Sequence, residues 1–274
     1  MKTLILVFTI SFVFAANIFA RDTFIKAGNK AANENEIRLI SSDAQKTSIE
    51  VNINGFYNKR IELSGSVYDN IYLKEFVSLG DAGQASLPVI TKMIAIPNYK
   101  DVKVVITSSD HQTFGSYDII PYQTPALRNT NGISDIFKKD NSYYSSNKYY
   151  PDNIVSIKEI SVMRDYRIAV VTINPVQYNP TTKQVKVYSR INFDLKYEGY
   201  SDVNNVTYSV NGLSKSFQAM YKQLIFNYRE DNSTFTAAPS MIIIASDSLY
   251  NSVQPLSEWK TKKGIKTVIK KTSE

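Results

Sequence analysis

The sequence predicts a mainly β chain: an antiparallel sandwich or barrel-like unit, followed by the first strand–helix–strand unit of an α/β domain. Three observations carry that prediction. Apolar and polar residues alternate with a period of two over several short segments, and turn residues separate them. Residues 241–245 (MIIIA) are instead apolar without a break, the pattern of a strand buried on both faces of a parallel sheet. A helical pattern and a second apolar run follow, so the architecture changes after the polar stretch at residues 227–239.

The N-terminus has the layout of an export signal. Lys2 supplies a positive start and residues 4–16 (LILVFTISFVFAA) form a short apolar run. A bilayer-spanning helix needs about 20 apolar residues, so this run is too short to serve as an anchor. Ile18-Phe19-Ala20 offers a cleavage site between Ala20 and Arg21. The sequence therefore predicts a signal peptide over residues 1–20 and a secreted chain, extracellular or at the cell surface. It is expected to be soluble, with no stable membrane insertion once the signal is removed.

Residues 21–46 are polar, rich in Ala, Asn and Glu, and read as a loosely held lead-in. Residues 47–53 (TSIEVNI) open the β pattern, with Ile49, Val51 and Ile53 on one face. Residues 71–79, 92–96 and 102–107 read as further strands, punctuated by Gly80-Asp81-Ala82-Gly83 and Pro97-Asn98. Residues 130–150 show no period and read as a long surface loop. The clearest β signal spans residues 166–197, broken by Asn179-Pro180-Thr181-Thr182; Asn-Pro favours a turn and proline lacks a ladder donor. Val185 and Val187 carry the return strand, and Ile191, Phe193, Leu195 and Tyr197 alternate with polar residues after it.

A helix is expected within residues 209–228, because Phe217, Met220, Tyr221, Leu224 and Ile225 fall on one face. The domain boundaries follow: a β-rich unit over residues 21–227, a linker over 228–239, and the start of an α/β unit over 240–274. In that last unit Ser248 is the expected cap of a helix running to about Lys263, with Pro255 inside it and Gly264 as its stop. One strand–helix–strand unit cannot cover both faces of a sheet. The expectation is of a domain that continues beyond Glu274.

Composition narrows the function classes. Hydrophobic content of 43% and aromatic content of 12% supply a core, and the cysteine count is zero. Disulfides, thiolate metal sites and a cysteine nucleophile are therefore excluded within this chain. The net charge of +7 is spread along the chain rather than gathered on one element, which argues against a nucleic-acid partner. His111 is the single histidine and falls in a polar segment, residues 108–115, read as a loop. A lone histidine cannot make an ordinary zinc site, and it joins a Ser/His arrangement only if Ser and Asp converge on it. No phosphate-cradling glycine loop, G-x-S-x-G or H-E-x-x-H occurs. No catalytic, cofactor-binding or metal position is assigned and no cofactor is expected. Asn205-Val206-Thr207 and Asn232-Ser233-Thr234 match the glycosylation acceptor pattern.

Several motifs carry a family resemblance. Leu87-Pro88-Val89 with Ile94-Ala95-Ile96-Pro97 resembles a segment of the pro-regions of gingipain-family (C25) cysteine peptidases. Tyr150-Pro151, the run Pro175-Val176-Gln177-Tyr178-Asn179-Pro180 and residues 185–188 resemble the C-terminal hairpin of that pro-region. Residues 241–245 and 248–267, above all Glu258-Trp259-Lys260 with Lys263-Gly264, look like the opening strand, helix and strand of the family's caspase-like catalytic domain.

The resemblance implies a secreted cysteine endopeptidase zymogen. Its pro-region would keep the catalytic domain latent and assist its folding, so the implied partner is the chain's own downstream catalytic domain. The family's catalytic His and Cys match no residue here, and the chain alone is expected to be inactive. Arg229 is the only basic residue in the expected linker and is the candidate activation cleavage site. Two alternatives stay open: a sortase-like C25 processing peptidase of a secretion system, and a non-catalytic exported β-sandwich that binds a partner.

Overall fold

The computed structural model describes residues 22–28, 35–124, 137–208, 215–230 and 240–274. The signal segment, with Ala20 and Arg21, lies outside the described residues, as do most of the expected linker and the Asn232 glycosylation pattern.

Among the described residues twelve strands build the first unit, and three antiparallel sheets share its core. The largest contains β2 (Glu36–Ser42), β3 (Lys46–Asn52), β8 (Asp101–Phe114), β11 (Val176–Asn179) and β12 (Gln184–Glu198). Its axis is β12, which pairs with β8 along one edge and with β11 and then β3 along the other. The second sheet runs β6 (Val77–Leu79), β7 (Leu87–Ala95), β10 (Tyr166–Ile173), β9 (Val155–Met163). The third runs β1 (Thr23–Lys26), β4 (Gly55–Leu63), β5 (Ser66–Tyr72).

Alternation explains the layering. Ile49 and Val51 of β3 and Ile191, Phe193 and Leu195 of β12 turn inward and are buried. They pack in one cluster with Ile90 and Ile94 of β7, Ala169, Val171 and Ile173 of β10, and Phe56 and Ile71 of the third sheet. A single β12 replaces the two strands expected there, with a register shift between Tyr188 and Arg190. Asn179 makes the expected break: its Oδ1 accepts from the N–H groups of Thr181 and Thr182, an Asx turn that closes the β11–β12 hairpin.

The β10 strand is buried on both faces. Ile168 and Val170 point away from the main core into a second cluster with Tyr221 and Ile225, on and just beyond α2 (Lys215–Leu224). Arg167, next to Ile168 and so on the other face of β10, is buried as well. Its guanidinium donates to the carbonyls of Pro97, Lys100 and Val203 and to the Ser201 hydroxyl, tying two surface loops to β10.

The structure corrects several expectations. The supposed lead-in contains β1 and β2. In β2 a register shift between Leu39 and Ser41 turns Ile40 to solvent, which spoils the alternation. Strand β4 was not anticipated because Lys59 and Arg60 lie at its exposed end, nor β9, whose Lys158 and Glu159 are exposed. Residues 71–79 are two strands rather than one. Within the expected loop at 130–150, residues 137–150 carry α1 (Asn141–Tyr144), capped by Asp140, and Tyr143, Tyr144 and Tyr150 pack on the core.

The last unit consists of β13 (Ser240–Ala245), a short 3-10 turn at Asp247–Leu249, α3 (Tyr250–Lys262) and β14 (Lys266–Lys271). The two strands are parallel, with Ile243 opposite Ile269. The helix starts at Tyr250 after the 3-10 turn, so Ser248 does not cap it; its hydroxyl bonds Ser246 instead. Pro255 lies inside α3 without ending it. β13 is not covered on both faces: Ile242 is 61% exposed and Ile244 70%.

Candidate functional site

The catalytic positions sought by sequence find no cluster. His111 is on β8, not in a loop, and faces Tyr188 across the ladder with ring centroids 5.3 Å apart. Neighbouring strand residues point to opposite faces, so Asp110 cannot orient the imidazole. The Asp110 carboxylate pairs instead with Arg190. Among the described residues no group of three or more His, Cys, Asp or Glu could hold a metal ion.

An open groove of about 430 Å³ runs past Tyr149, Gln177, Lys186 and Tyr188. These four side chains are already engaged. The Tyr188 hydroxyl donates to Gln177, the Tyr149 hydroxyl donates to Gln184, and the Lys186 ammonium sits 4.1 Å from the Tyr149 ring centroid. Asn205 of the first glycosylation pattern is occupied in the same way: its Oδ1 accepts from the Tyr99 N–H and its Nδ2 donates to the Ser201 carbonyl.

The site that the structure does build is the junction leading to Arg229. The apolar stripe of α2 is led by Tyr221, which is fully buried. Its ring meets Tyr166 edge-on at 5.0 Å and lies 5.8 Å from Tyr228. Its hydroxyl donates to the Asp165 carboxylate. Burial first, and then that hydrogen bond, push the Tyr221 pKa up to about 12. Beyond the helix the chain runs alongside β7. Ile225 bridges Met93 in parallel sense, and the Phe226 N–H donates to the Met93 carbonyl at 2.8 Å.

Asn227 extends this pairing with its side chain. Its Oδ1 accepts from the Ala95 N–H at 2.8 Å, and its Nδ2 donates to the Ala95 carbonyl at 2.9 Å and to the Ser42 hydroxyl at 3.0 Å. Arg229 is exposed and donates to the Ser42 carbonyl at 2.9 Å. Glu230 pairs with Lys222 of α2 at 3.0 Å. Asp43, next to Ser42, has its pKa lowered chiefly by the backbone N–H groups of Gln45 and Lys46, with Arg229 a minor contributor. The first residues of the expected linker are thus fastened to the β unit. Sequence reasoning singled out Arg229 but missed Asn227, Ser42 and Ala95, because their pairing depends on a contact between distant segments.

Comparison with known proteins decides the family. The model of the C25 peptidase propeptide, Propeptide_C25, matches residues 28–233, well over half of the chain. The chain belongs to this propeptide family. The matched span takes in the β unit from just after β1, together with α2 and the junction.

Gingipain R2 of Porphyromonas gingivalis is 22% identical over 266 residues, covering 95% of this chain and 36% of that protein. Gingipain R1 of the same organism is 23% identical over 267 residues, covering 95% and 26%. Lys-gingipain is 24% identical over 223 residues, covering 78% and 13%. The chain therefore spans about a third or less of the length of these relatives.

Two solved structures share the propeptide fold. One is a complex of P. gingivalis RgpB pro- and mature domains, with a TM-score of 0.62 and 22% identity, covering 70% of this chain and 98% of that one. The other concerns zymogenic latency of gingipain K from P. gingivalis, with a TM-score of 0.58 and 21% identity, covering 65% and 100%. No helix among the described residues of the propeptide is long and apolar enough to cross a membrane.

Proposed function

We propose that this chain is the pro-region of an exported C25-type cysteine endopeptidase, joined to the first strand–helix–strand unit of the catalytic domain. The observation that carries the proposal is the propeptide match over residues 28–233 followed directly by a parallel β–α–β unit. The fold likeness to a pro-domain solved in complex with its mature domain supports the same reading. The β unit docks on the catalytic domain, holds it latent and helps it fold. The apolar face of Ile242 and Ile244 supports this division, because opening strands of a larger α/β sheet need further elements to cover them.

In this reading the signal segment is removed between Ala20 and Arg21, and Arg229 is the maturation cut. Hydrolysis adds water across the Arg229–Glu230 amide: the C–N bond breaks, Arg229 gains the carboxylate and Glu230 the amino group. Arg229 suits the role because its side chain is exposed at the boundary between the two units. In the complete precursor, Arg229→Ala is expected to abolish the product whose N-terminus is Glu230, as read by N-terminal sequencing. Unchanged maturation at that bond would refute the assignment.

A further inference from the structure

We propose that Asn227 is the keystone of a latch that shields the Arg229–Glu230 bond from peptidases while the pro-region is folded. Its role in maturation rests on the reading of Arg229 as the cut. A peptidase cleft must take the residues before the scissile bond in extended form, with the basic side chain in its specificity pocket. Here several groups on both sides of the bond are engaged elsewhere. The main chain at Phe226 is bonded to β7, the Asn227 amide to Ala95 and Ser42, the Arg229 guanidinium to the Ser42 carbonyl and Glu230 to Lys222.

The contacts are unequal. Lys222 and Glu230 are well exposed, and exposed ion pairs contribute little. The Arg229 contact is also at the surface. Asn227 is partly buried and makes three hydrogen bonds at 2.8–3.0 Å. A carboxamide presents an acceptor and a donor in one plane, so it meets both the N–H and the C=O of Ala95, as another strand would. Alanine supplies neither group. Aspartate supplies the acceptor and loses the donor, leaving the Ala95 carbonyl facing a negative charge.

The latch gives maturation an order. The junction is withheld until the segment peels from β7, so cutting follows an opening step rather than mere encounter. When opening and reclosing are fast relative to cleavage, the cleavage rate tracks the open population.

The test is limited proteolysis of the 274-residue chain under native conditions, by a trypsin-type peptidase that cuts after Lys and Arg. The fragment ending at Arg229 is quantified by mass spectrometry, relative to cleavage after Arg190 within β12. Asn227→Ala and Asn227→Asp are expected to speed the Arg229 cut on the order of tenfold, about 1.4 kcal/mol in opening, with no change at Arg190. Ser42→Ala, which removes one of the three bonds, should give a smaller increase, and Lys222→Ala less than twofold. Equal rates at Arg229 in wild type and both Asn227 variants would overturn the latch, as would acceleration in parallel at Arg190, which reports global unfolding. The maturation reading fails separately: if the precursor's mature N-terminus is not Glu230, the tryptic result still decides whether Asn227 closes the junction.

Discussion

Tyr221→Ala tests how the end of the pro-region is held. Tyr221 is fully buried, the only buried residue of α2. Burying a tyrosine removes about 150 Å² or more from water, which at about 25 cal/mol per Å² is about 4 kcal/mol. Compactness of the unfolded chain lowers this to about 3 kcal/mol. Loss of the hydroxyl bond to Asp165 adds about 1 kcal/mol or more. The sum is comparable with what fastens α2, because the second cluster holds only Ile168, Val170, Tyr221 and Ile225 as buried members. The main core shares none of these four side chains. The substitution is therefore expected to undock α2 while the sandwich stays folded. Hydrogen exchange should accelerate by nearly three orders of magnitude in the amides of residues 215–228, tenfold for each ~1.4 kcal/mol of the sum, and by far less in β3, β10 and β12. Tyr221→Phe keeps the ring and should lose only about 1 kcal/mol. Uniform acceleration across all strands, or none in α2, would refute the two-cluster account.

Two further outcomes follow from single sites. Asp194 is nearly buried; burial would raise its pKa, but the Ser48 hydroxyl at 2.7 Å and the Lys46 ammonium at 3.0 Å outweigh it and lower the value. Its folded pKa lies below the unfolded carboxylate's, so its contribution is complete above about pH 3.9 and is lost as the pH falls through the folded value. Asp194→Asn should cost about 1–2 kcal/mol at pH 7 and less at pH 3, measured by urea unfolding at both; an equal cost at the two pH values would contradict the pairing. A Cβ on Gly55 would sit 2.2 Å from the Ile25 carbonyl and 2.4 Å from the Phe24 ring, so Gly55→Ala should separate β1 from β4 and cost about 1–3 kcal/mol. An unfolding midpoint equal to wild type would show that β1 is not seated against Gly55.

The parts of the fold that the sequence disclosed are those whose burial is local and regular. β3 and the second half of β12 have one apolar, buried face and one polar face, so alternation shows them directly. α2 was legible from its stripe, although Phe217 and Leu224 remain partly exposed because β10 covers a narrow strip of the helix. What stayed hidden depends on partners far along the chain. The outer half of β8 is exposed at every residue from Ile106 to Thr113; it is a strand only because β12 lies beside it, and its polar sequence reads as a loop. The same cause concealed the junction. Asn227 follows an amphipathic helix and precedes charged residues, so it resembles the start of a linker. Its partners Ser42 and Ala95 lie 185 and 132 residues away in sequence.

The proposed function has this propeptide silence a C25-type catalytic domain joined to it. The most direct measurement titrates the purified chain into the mature C25-type domain expressed with it, following hydrolysis of peptide substrates with Arg or Lys before the scissile bond. Inhibition that saturates at one chain per catalytic domain, and is relieved when the chain is proteolysed, is the predicted result. Full peptidase activity at a saturating excess of folded chain would contradict it.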